Sequence, residues 1–373
     1  MNETHDWLIL TGSAMERGQQ QAARCPALTA QTRSAVYGRL QLLKAALARP
    51  EVADFLQAQK HFLLANDRPG FDESLGISQG YGLAHDDLLA YLHANVVADM
   101  SLEPGSPGLA PTDGCTAWAY ASAGPTWVVK NRDYRGEHGV LQQVFLHQDP
   151  DWQARMLLCV GSLGSPGAFS SGMNSDGLAV VDTQISTRDH GPGWLRYFLM
   201  TALLRECSTV QQALAFISAV PHAGGGAIVM GDRHGQVASV ALGHQRASHA
   251  VSSTQWVAHT NHCVEPALAR DVRLPQDDPT DCTFTRLQQV EQALSHLTGH
   301  MDLAQARTLM SSHRDLGGIC RHAHGDSSRT LSCVTYDTAH AILHMSHGNP
   351  CNAPWVSYCL AQASKMPIGG SKP

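Results

Sequence analysis

The chain has 373 residues, 43% of them apolar and 16% charged, enough to bury a full hydrophobic core and unlike a disordered or fibrous protein. Lysine and arginine total 26 against 32 acidic residues, a net charge of -6 with no block of like charge, which disfavours a nucleic-acid or polybasic membrane role. The first residues carry Glu3 and Asp6 and no basic stretch leading into an apolar run, so no secretory signal is expected. The longest apolar runs, such as Phe198 to Leu204, fall far short of the roughly 20 residues that span a bilayer, and a cytoplasmic protein is the expectation. Ten cysteines without a C-x-x-C pair read mostly as reduced, buried small hydrophobes.

From Ser13 to about Gln59 the chain is rich in Ala, Leu and Gln, with Leu40, Leu43, Ala46 and Leu47 at helical spacing, which predicts a helical N-terminal layer. The run Leu102 to Gly114 is dense in Pro, Gly, Ser and Asp and reads as the most exposed segment. After Gly114 the texture changes to short strand-like runs around turn signals. Leu141 to His147 with Ala154 to Gly161, Ala227 to Met230 with Val237 to Leu242, and Thr330 to Tyr336 with His340 to Met345 read as hairpins. Between them, helices are predicted over Trp194 to Arg205, Thr209 to Ser218, Phe284 to Leu297 and Leu303 to Ser311, with capping boxes at Ser208/Gln211 and Asp302/Gln305. Gly224 to Gly226 lacks a following Gly-Lys-Ser/Thr and reads as the approach to a strand. No internal repeat or low-complexity linker divides the chain. Hairpins interleaved with helix pairs predict an α+β fold of antiparallel sheets covered by helices, not a parallel doubly wound sheet.

The chemistry concentrates between Asp113 and Tyr134. Cys115 follows the most loop-like stretch and precedes the first strong strand, a position that suits a precursor cutting its own backbone before a nucleophile. The thiol would attack the carbonyl of Gly114, which without a Cβ tolerates strained backbone, and water would then release the upstream segment. The freed α-amino group of Cys115, with an ordinary pKa of about 7.7 to 8.0, would act as general base for its own thiol.

Six segments in order carry a resemblance to a known family: Gly12 to Gly18, Asp113-Gly114-Cys115-Thr116, Asn131-Arg132-Asp133-Tyr134, Gly172 to Leu178, His259-Thr260-Asn261-His262-Cys263, and Gly318-Ile319-Cys320-Arg321. Through them the chain resembles the isopenicillin-N acyltransferase-like family of self-processing N-terminal nucleophile hydrolases, relatives of penicillin V acylases and bile-salt hydrolases. The resemblance implies a four-layer αββα sandwich. It implies an N-terminal segment, 1–114, that stays packed on a catalytic segment, 115–373, as a cleaved heterodimer. Cys115 would be nucleophile and base, Asp133 would hold the α-amino group, and Asn261 would donate to the oxyanion. Asn174 would support the oxyanion hole or line the pocket, against its plainer reading as a turn residue. Arg321 would bind a substrate carboxylate or orient active-site carboxylates. Arg132 stands where the family has Trp, Lys130 where bile-salt hydrolases have Arg, and Gly318 where the family has Ser; these departures suggest a pocket for a more polar or anionic leaving part.

The expected activity is hydrolysis of a linear amide, an N-acyl or aminoacyl amide of a small amine or amino acid, through a thioester. An acyltransferase using amines or coenzyme A, and a non-processing scaffold of the same fold, are the alternatives. No cofactor is expected. His259, His262 and Cys263, and Cys320, His322 and His324, lack the spacing of common zinc motifs, so no metal is expected, and Cys25, Cys159, Cys207, Cys282, Cys333, Cys351 and Cys359 read as structural. The partners expected are the small-molecule amide and the chain's own N-terminal fragment, with no nucleic acid or membrane and with homo-oligomerisation left open.

Overall fold

The computed structural model describes residues 7–103, 114–122, 124–251, 255–273, 283–297, 299–313, 318–323 and 328–363. Most of the turn-rich run before Cys115 (104–113), together with Cys282 and His324, lies outside the described residues.

Among the described residues the strands are β1 (Leu8–Thr11), β2 (Thr116–Tyr120), β3 (Trp127–Tyr134), β4 (Gln142–Gln148), β5 (Met156–Ser162), β6 (Ser171–Asn174), β7 (Ala179–Thr183), β8 (Ala227–Gly231), β9 (Val237–Leu242), β10 (Ala247–Val251), β11 (Trp256–His259), β12 (Arg329–Asp337), β13 (Ile342–Ser346) and β14 (Trp355–Cys359). The helices are α1 (Ala14–Arg24), α2 (Thr29–Leu42), α3 (Lys44–Leu47), α4 (Pro50–Asn66), α5 (Arg68–Tyr81), α6 (His85–Leu92), α7 (Ala94–Met100), α8 (Arg196–Glu206), α9 (Val210–Ser218), α10 (Thr283–Ser295), α11 (Leu303–Met310) and α12 (Leu360–Ala363). The strands form two sheets, in the orders β1-β4-β5-β6-β7-β8-β9-β10 and β11-β2-β3-β12-β13-β14. Every pairing is antiparallel except β1 with β4, which is parallel.

The period-two alternation of β2 shows how the layers stack. Ala117 and Ala119 point into a core that also contains Val160 and Val181 of the first sheet, so this core lies between the sheets. Trp118 and Tyr120 point the other way, into a core with Val290, Leu294 and Met310 of α10 and α11. On the far side of the first sheet, Phe145, Val180 and Met230 pack against Phe55, Ile77, Phe198 and Leu203 from α4, α5 and α8. Two sheets face each other with helices outside both, which is the expected αββα sandwich.

The three hairpins and four later helices form where the patterning places them, with ends shifted by one or two residues. The capping box at Asp302 is present, but α9 is capped one residue later than expected. Thr209 Oγ1 accepts from Gln212 N at 3.2 Å, while Gln212 Oε1 accepts from Ser208 N at 2.8 Å. The N-terminal segment is more than a helical layer, because β1 hydrogen-bonds into the first sheet beside β4. Its α1 crosses α5 so closely that a Cβ on Gly18 would lie 2.2 Å from the Glu73 carbonyl oxygen, which explains a glycine in the opening motif.

Burial also sets an acid limit on this fold. His93, between α6 and α7, donates from Nδ1 to Leu89 O at 2.7 Å, and burial holds its pKa down to about 4. The folded state therefore keeps His93 neutral while the unfolded chain protonates it below about pH 6.5, so its contribution is full above that pH and is lost as pH falls toward 4. Relative to wild type, His93→Gln is expected to flatten the slope of urea-unfolding free energy between pH 6.5 and 4 by about 1.4 kcal/mol per pH unit. Parallel slopes would show that His93 does not titrate with folding.

Candidate active site

Cys115 lies directly ahead of β2, and the pleat fixes which way it faces. Thr116 pairs with Asn131 and Ala117 with Lys130, so Cys115 falls opposite Arg132 on the face that looks into the space between the sheets. Lys130 and Arg132 share that face. Asn131 and Asp133 take the outer one, where Asn131 Nδ2 donates to Met310 O and Ile319 O at 2.9 and 3.0 Å. Arg132 and Asp133 are thus neighbours in sequence on opposite sides of the sheet.

The backbone of Cys115 is held by side chains. Its N–H donates to Asn261 Oδ1 at 2.7 Å, and its carbonyl accepts from Arg286 Nη1 at 2.7 Å. Arg286 Nη2 donates to the same Asn261 Oδ1 at 3.0 Å. Two donors on one atom identify it as the oxygen, so the amide orientation of Asn261 is settled by its network. Its Nδ2 donates to Gln184 O at 3.1 Å. The residues around Asn261 serve as its mount: its own N–H donates to Thr283 Oγ1 at 2.8 Å, and Thr260 Oγ1 donates to Thr283 O at 3.0 Å.

Cys115 is buried and lines a narrow cleft with Asn95, Lys130, Asp182, Gln184 and Tyr197. Burial pushes the pKa of its thiol above the ordinary value; Lys130 works against that rise, and Asp182 and Asp133 add to it. Lys130 Nζ donates to Ser170 O at 3.1 Å, Ser170 Oγ at 2.9 Å and Asp182 Oδ1 at 2.5 Å, which occupies all three of its hydrogens. Asp182 Oδ2 accepts from Arg196 Nε at 2.6 Å. Burial acts to raise the Asp182 carboxyl, but Lys130 and Arg196 outweigh it and hold the group below its usual value.

Of the predicted residues, Gly114, Cys115, Asp133, Asn261, Lys130, Arg132 and Arg321 come together, with several contacts different from those expected. Asn261 Oδ1, not the Asp133 carboxylate, accepts from the nitrogen of Cys115. Asp133 accepts from Thr330 Oγ1 at 2.6 Å and lies 4.0 Å from Arg321 Nη1, while its backbone carbonyl is 4.0 Å from the Cys115 sulfur. Arg321 therefore lies beside a carboxylate, at the outer limit of an ion pair. Lys130 is committed to Ser170 and Asp182, so its place is beside the thiol as a charge, not as a binder of substrate.

Gly114 is not required for unusual dihedrals, since its φ lies outside the left-handed region, and a Cβ there would meet Arg321 Nη1 at 2.5 Å, the movable end of a long side chain. Asn174 does not reach the site. Its Nδ2 donates to Leu204 O and Cys207 O at 2.9 and 2.7 Å and its Oδ1 accepts from Leu178 N at 3.0 Å, clasping the C-terminal end of α8 to the β6–β7 turn. Arg196, which lines the cleft, is at the opposite end of that helix, and Asn174 keeps its plainer role.

Arg286, Asp182, Arg196 and Asn95 are absent from the sequence-based site. Two of them leave a signal in the patterning. Arg286 falls in step with Val290 and Leu294 on the apolar stripe of α10, and Asp182 interrupts the apolar run Ala179 to Val181. A charge at a position patterned for burial marks a paired or functional group.

A family model described as acyl-coenzyme A:6-aminopenicillanic acid acyl-transferase matches residues 121–352, more than half of the chain. No curated protein matches the sequence. Among solved structures, a mutant of the conjugated bile acid hydrolase from Clostridium perfringens is similar at 10% identity and a TM-score of 0.47, covering 66% of this chain and 93% of that one. Penicillin V acylase from Agrobacterium tumefaciens is similar at 12% identity and a TM-score of 0.46, covering 66% of this chain and 87% of that one.

Proposed function

The chain belongs to the acyl-coenzyme A:6-aminopenicillanic acid acyl-transferase family, and on that premise we propose that it is a self-cleaving cysteine amidase. It hydrolyses linear amides through a thioester on Cys115. The observation that carries this reading is the grip on Cys115: its nitrogen is held by Asn261 Oδ1 while its thiol lines the cleft.

In the precursor the Cys115 sulfur attacks the Gly114 carbonyl, the Gly114–Cys115 C–N bond breaks with the proton passing to nitrogen, and the acyl group rests on sulfur. Water cleaves that thioester, leaving a Gly114 carboxylate and a free α-amino group. The amine, still accepted by Asn261 Oδ1, then takes the thiol proton when an amide substrate binds. Sulfur attacks the substrate carbonyl, the leaving amine departs with the proton, and water completes the cycle. An Asn side-chain nitrogen carries two hydrogens and Gln184 O takes one, so the second is available for an oxyanion, where one donor is worth roughly 3 to 4 kcal/mol. Asp133, fixed by Thr330 and Arg321, supports the position of the thiol through its backbone carbonyl.

Arg132 sets the substrate class. It lines the cleft, and its donors at 3.0 and 2.9 Å go to neutral groups, Gln142 Oε1 and Ser162 Oγ, so among the described residues no carboxylate neutralises it. Amides bearing a carboxylate fit this charge, N-acyl amino acids first among them. With such a substrate, acid quenching is expected to trap an acyl adduct on the peptide that begins at Cys115. Arg132→Met is expected to raise KM at least about tenfold for carboxylate-bearing amides and to leave uncharged analogues nearly unchanged. Equal KM changes for both would remove Arg132 from substrate selection, and the absence of any Cys115 adduct during turnover would overturn the thioester. The family also includes transferases by its description, so added amines should be scored as acceptors; transfer exceeding hydrolysis would make this a transferase of the same mechanism.

A further inference from the structure

Outside the cleft, four side chains distant in sequence converge. His313 follows α11, Cys320 and His322 lie in the segment ahead of β12, and Cys351 lies in the turn between β13 and β14. Their ligand atoms all lie within 4.8 Å of one another. Cys320 Sγ and Cys351 Sγ are 3.7 Å apart, Cys351 Sγ and His322 Nε2 3.3 Å, Cys320 Sγ and His322 Nε2 3.7 Å, and His313 Nε2 and His322 Nε2 2.9 Å.

These separations can be set against tetrahedral zinc. With Zn–S of about 2.3 Å and Zn–N of about 2.0 to 2.1 Å, a regular tetrahedron places two sulfurs about 3.8 Å apart, sulfur and nitrogen about 3.5 Å, and two nitrogens about 3.3 Å. The observed sulfur pair matches, the two sulfur–nitrogen pairs of His322 bracket the ideal, and the nitrogen pair needs a small opening. A sulfur separation of 3.7 Å is far from the roughly 2.05 Å of a disulfide. Surface histidines and cysteines have no apolar reason to gather here: His313, His322 and Cys351 are exposed and only Cys320 is buried.

We propose that His313, Cys320, His322 and Cys351 bind a structural zinc ion as two imidazoles and two thiolates, and that this ion fixes the segment carrying Arg321. Binding releases one proton from each thiol, and the two thiolates cancel the charge of the metal. Four protein ligands complete a tetrahedral shell and leave no position for substrate, so the role is structural. Soft sulfur with imidazole selects zinc over magnesium or calcium. Arg321 stands between two ligands, and Asn349 Nδ2 also donates to its carbonyl at 2.6 Å, so the clamp holds the residue whose guanidinium faces Asp133. This replaces the reading of Cys351 as an ordinary structural thiol. It also shows why spacing hid the site: the ligands span a helix end, a loop and a hairpin turn.

The test uses the untagged full chain purified without chelator. Elemental analysis is expected to find about one zinc ion per chain, lost in the double variant Cys320→Ser, Cys351→Ser. Cobalt added to chelator-stripped protein should give the intense visible bands of tetrahedral cobalt and a thiolate charge-transfer band, both weakened in His313→Ala. Chelated protein should also be cut by trypsin after Arg321 several-fold faster than the zinc-loaded form. Wild type without metal, a weak octahedral cobalt spectrum, or a mass two hydrogens light from a Cys320–Cys351 disulfide would overturn the site. An unchanged tryptic rate would overturn the claim that the ion fixes Arg321. These readouts do not depend on whether the chain is an amidase.

Discussion

Cys115→Ala is expected to remain one polypeptide of 373 residues, whereas the wild-type chain is expected to mature to a fragment ending at Gly114 and one beginning at Cys115. Alanine keeps the backbone contacts of residue 115 with Asn261 and Arg286, because both are made by N–H and carbonyl. Only the thiol disappears, so the variant should fold, with both the proposed self-cleavage and the amide turnover abolished. Intact-mass measurement over time reads the first, and release of amine from a substrate reads the second. Burial keeps the Cys115 thiol mostly protonated in the precursor, so processing should accelerate as pH rises, approaching tenfold per unit while the thiolate is the minor form. The same experiment separates the enzyme from a scaffold with the same fold. A wild-type chain that stays whole and inactive after long incubation would falsify self-processing, and cleavage persisting in Cys115→Ala would assign it to another group. After a cut the N-terminal fragment should stay bound, since β1 is a strand of the first sheet and α1 packs closely on α5.

The fold and the site were readable from sequence to different depths. Hairpins and their covering helices are written locally, in β-branched runs bounded by turn residues and in apolar stripes, so β4 with β5, β8 with β9, and α8 to α11 follow from patterning. Strand β1 does not, because four residues at the start of a helical stretch carry little periodicity, and their pairing with β4 is decided only by tertiary contact. The proposed nucleophile Cys115 and its neighbour Asn261 are singled out by short motifs. What those motifs do not encode is which atom meets which. Asp133 and Asn261 are both acceptors within reach of Cys115 in sequence logic, and only the register of β2 on β3 and the mount of Asn261 on Thr283 decide that Asn261 takes the nitrogen. Asn174 shows the reverse error, in that a motif residue of the right type sits at the wrong end of α8. Arg286 and Asp182 could have been found from charge on an apolar face, without any motif.

The Lys130–Asp182–Arg196 group leads to a second large effect, with two readouts that move differently. All three side chains are buried, and Asp182 carries both cations. Asp182→Asn keeps the shape but leaves two positive charges without their anion, and breaking a buried pair in this way costs about 3 to 5 kcal/mol, to be seen in urea unfolding. Lys130→Met leaves Asp182 with Arg196 alone and should also destabilise, by a smaller amount. At the thiol the two changes act in opposite directions. Asp182 raises the Cys115 pKa and Lys130 lowers it, so Asp182→Asn should shift the pH profile of Cys115 alkylation to lower pH and Lys130→Met should shift it to higher pH. A purely structural ion group would lower stability in both variants and leave the alkylation profiles superimposed on wild type. Shifts of the same sign would instead mean that loosened packing, not charge, controls the thiol. Opposite shifts, accompanied by parallel changes in the pH dependence of self-cleavage, would establish that the charges on β3 and β7 tune the nucleophile across the gap between the two sheets.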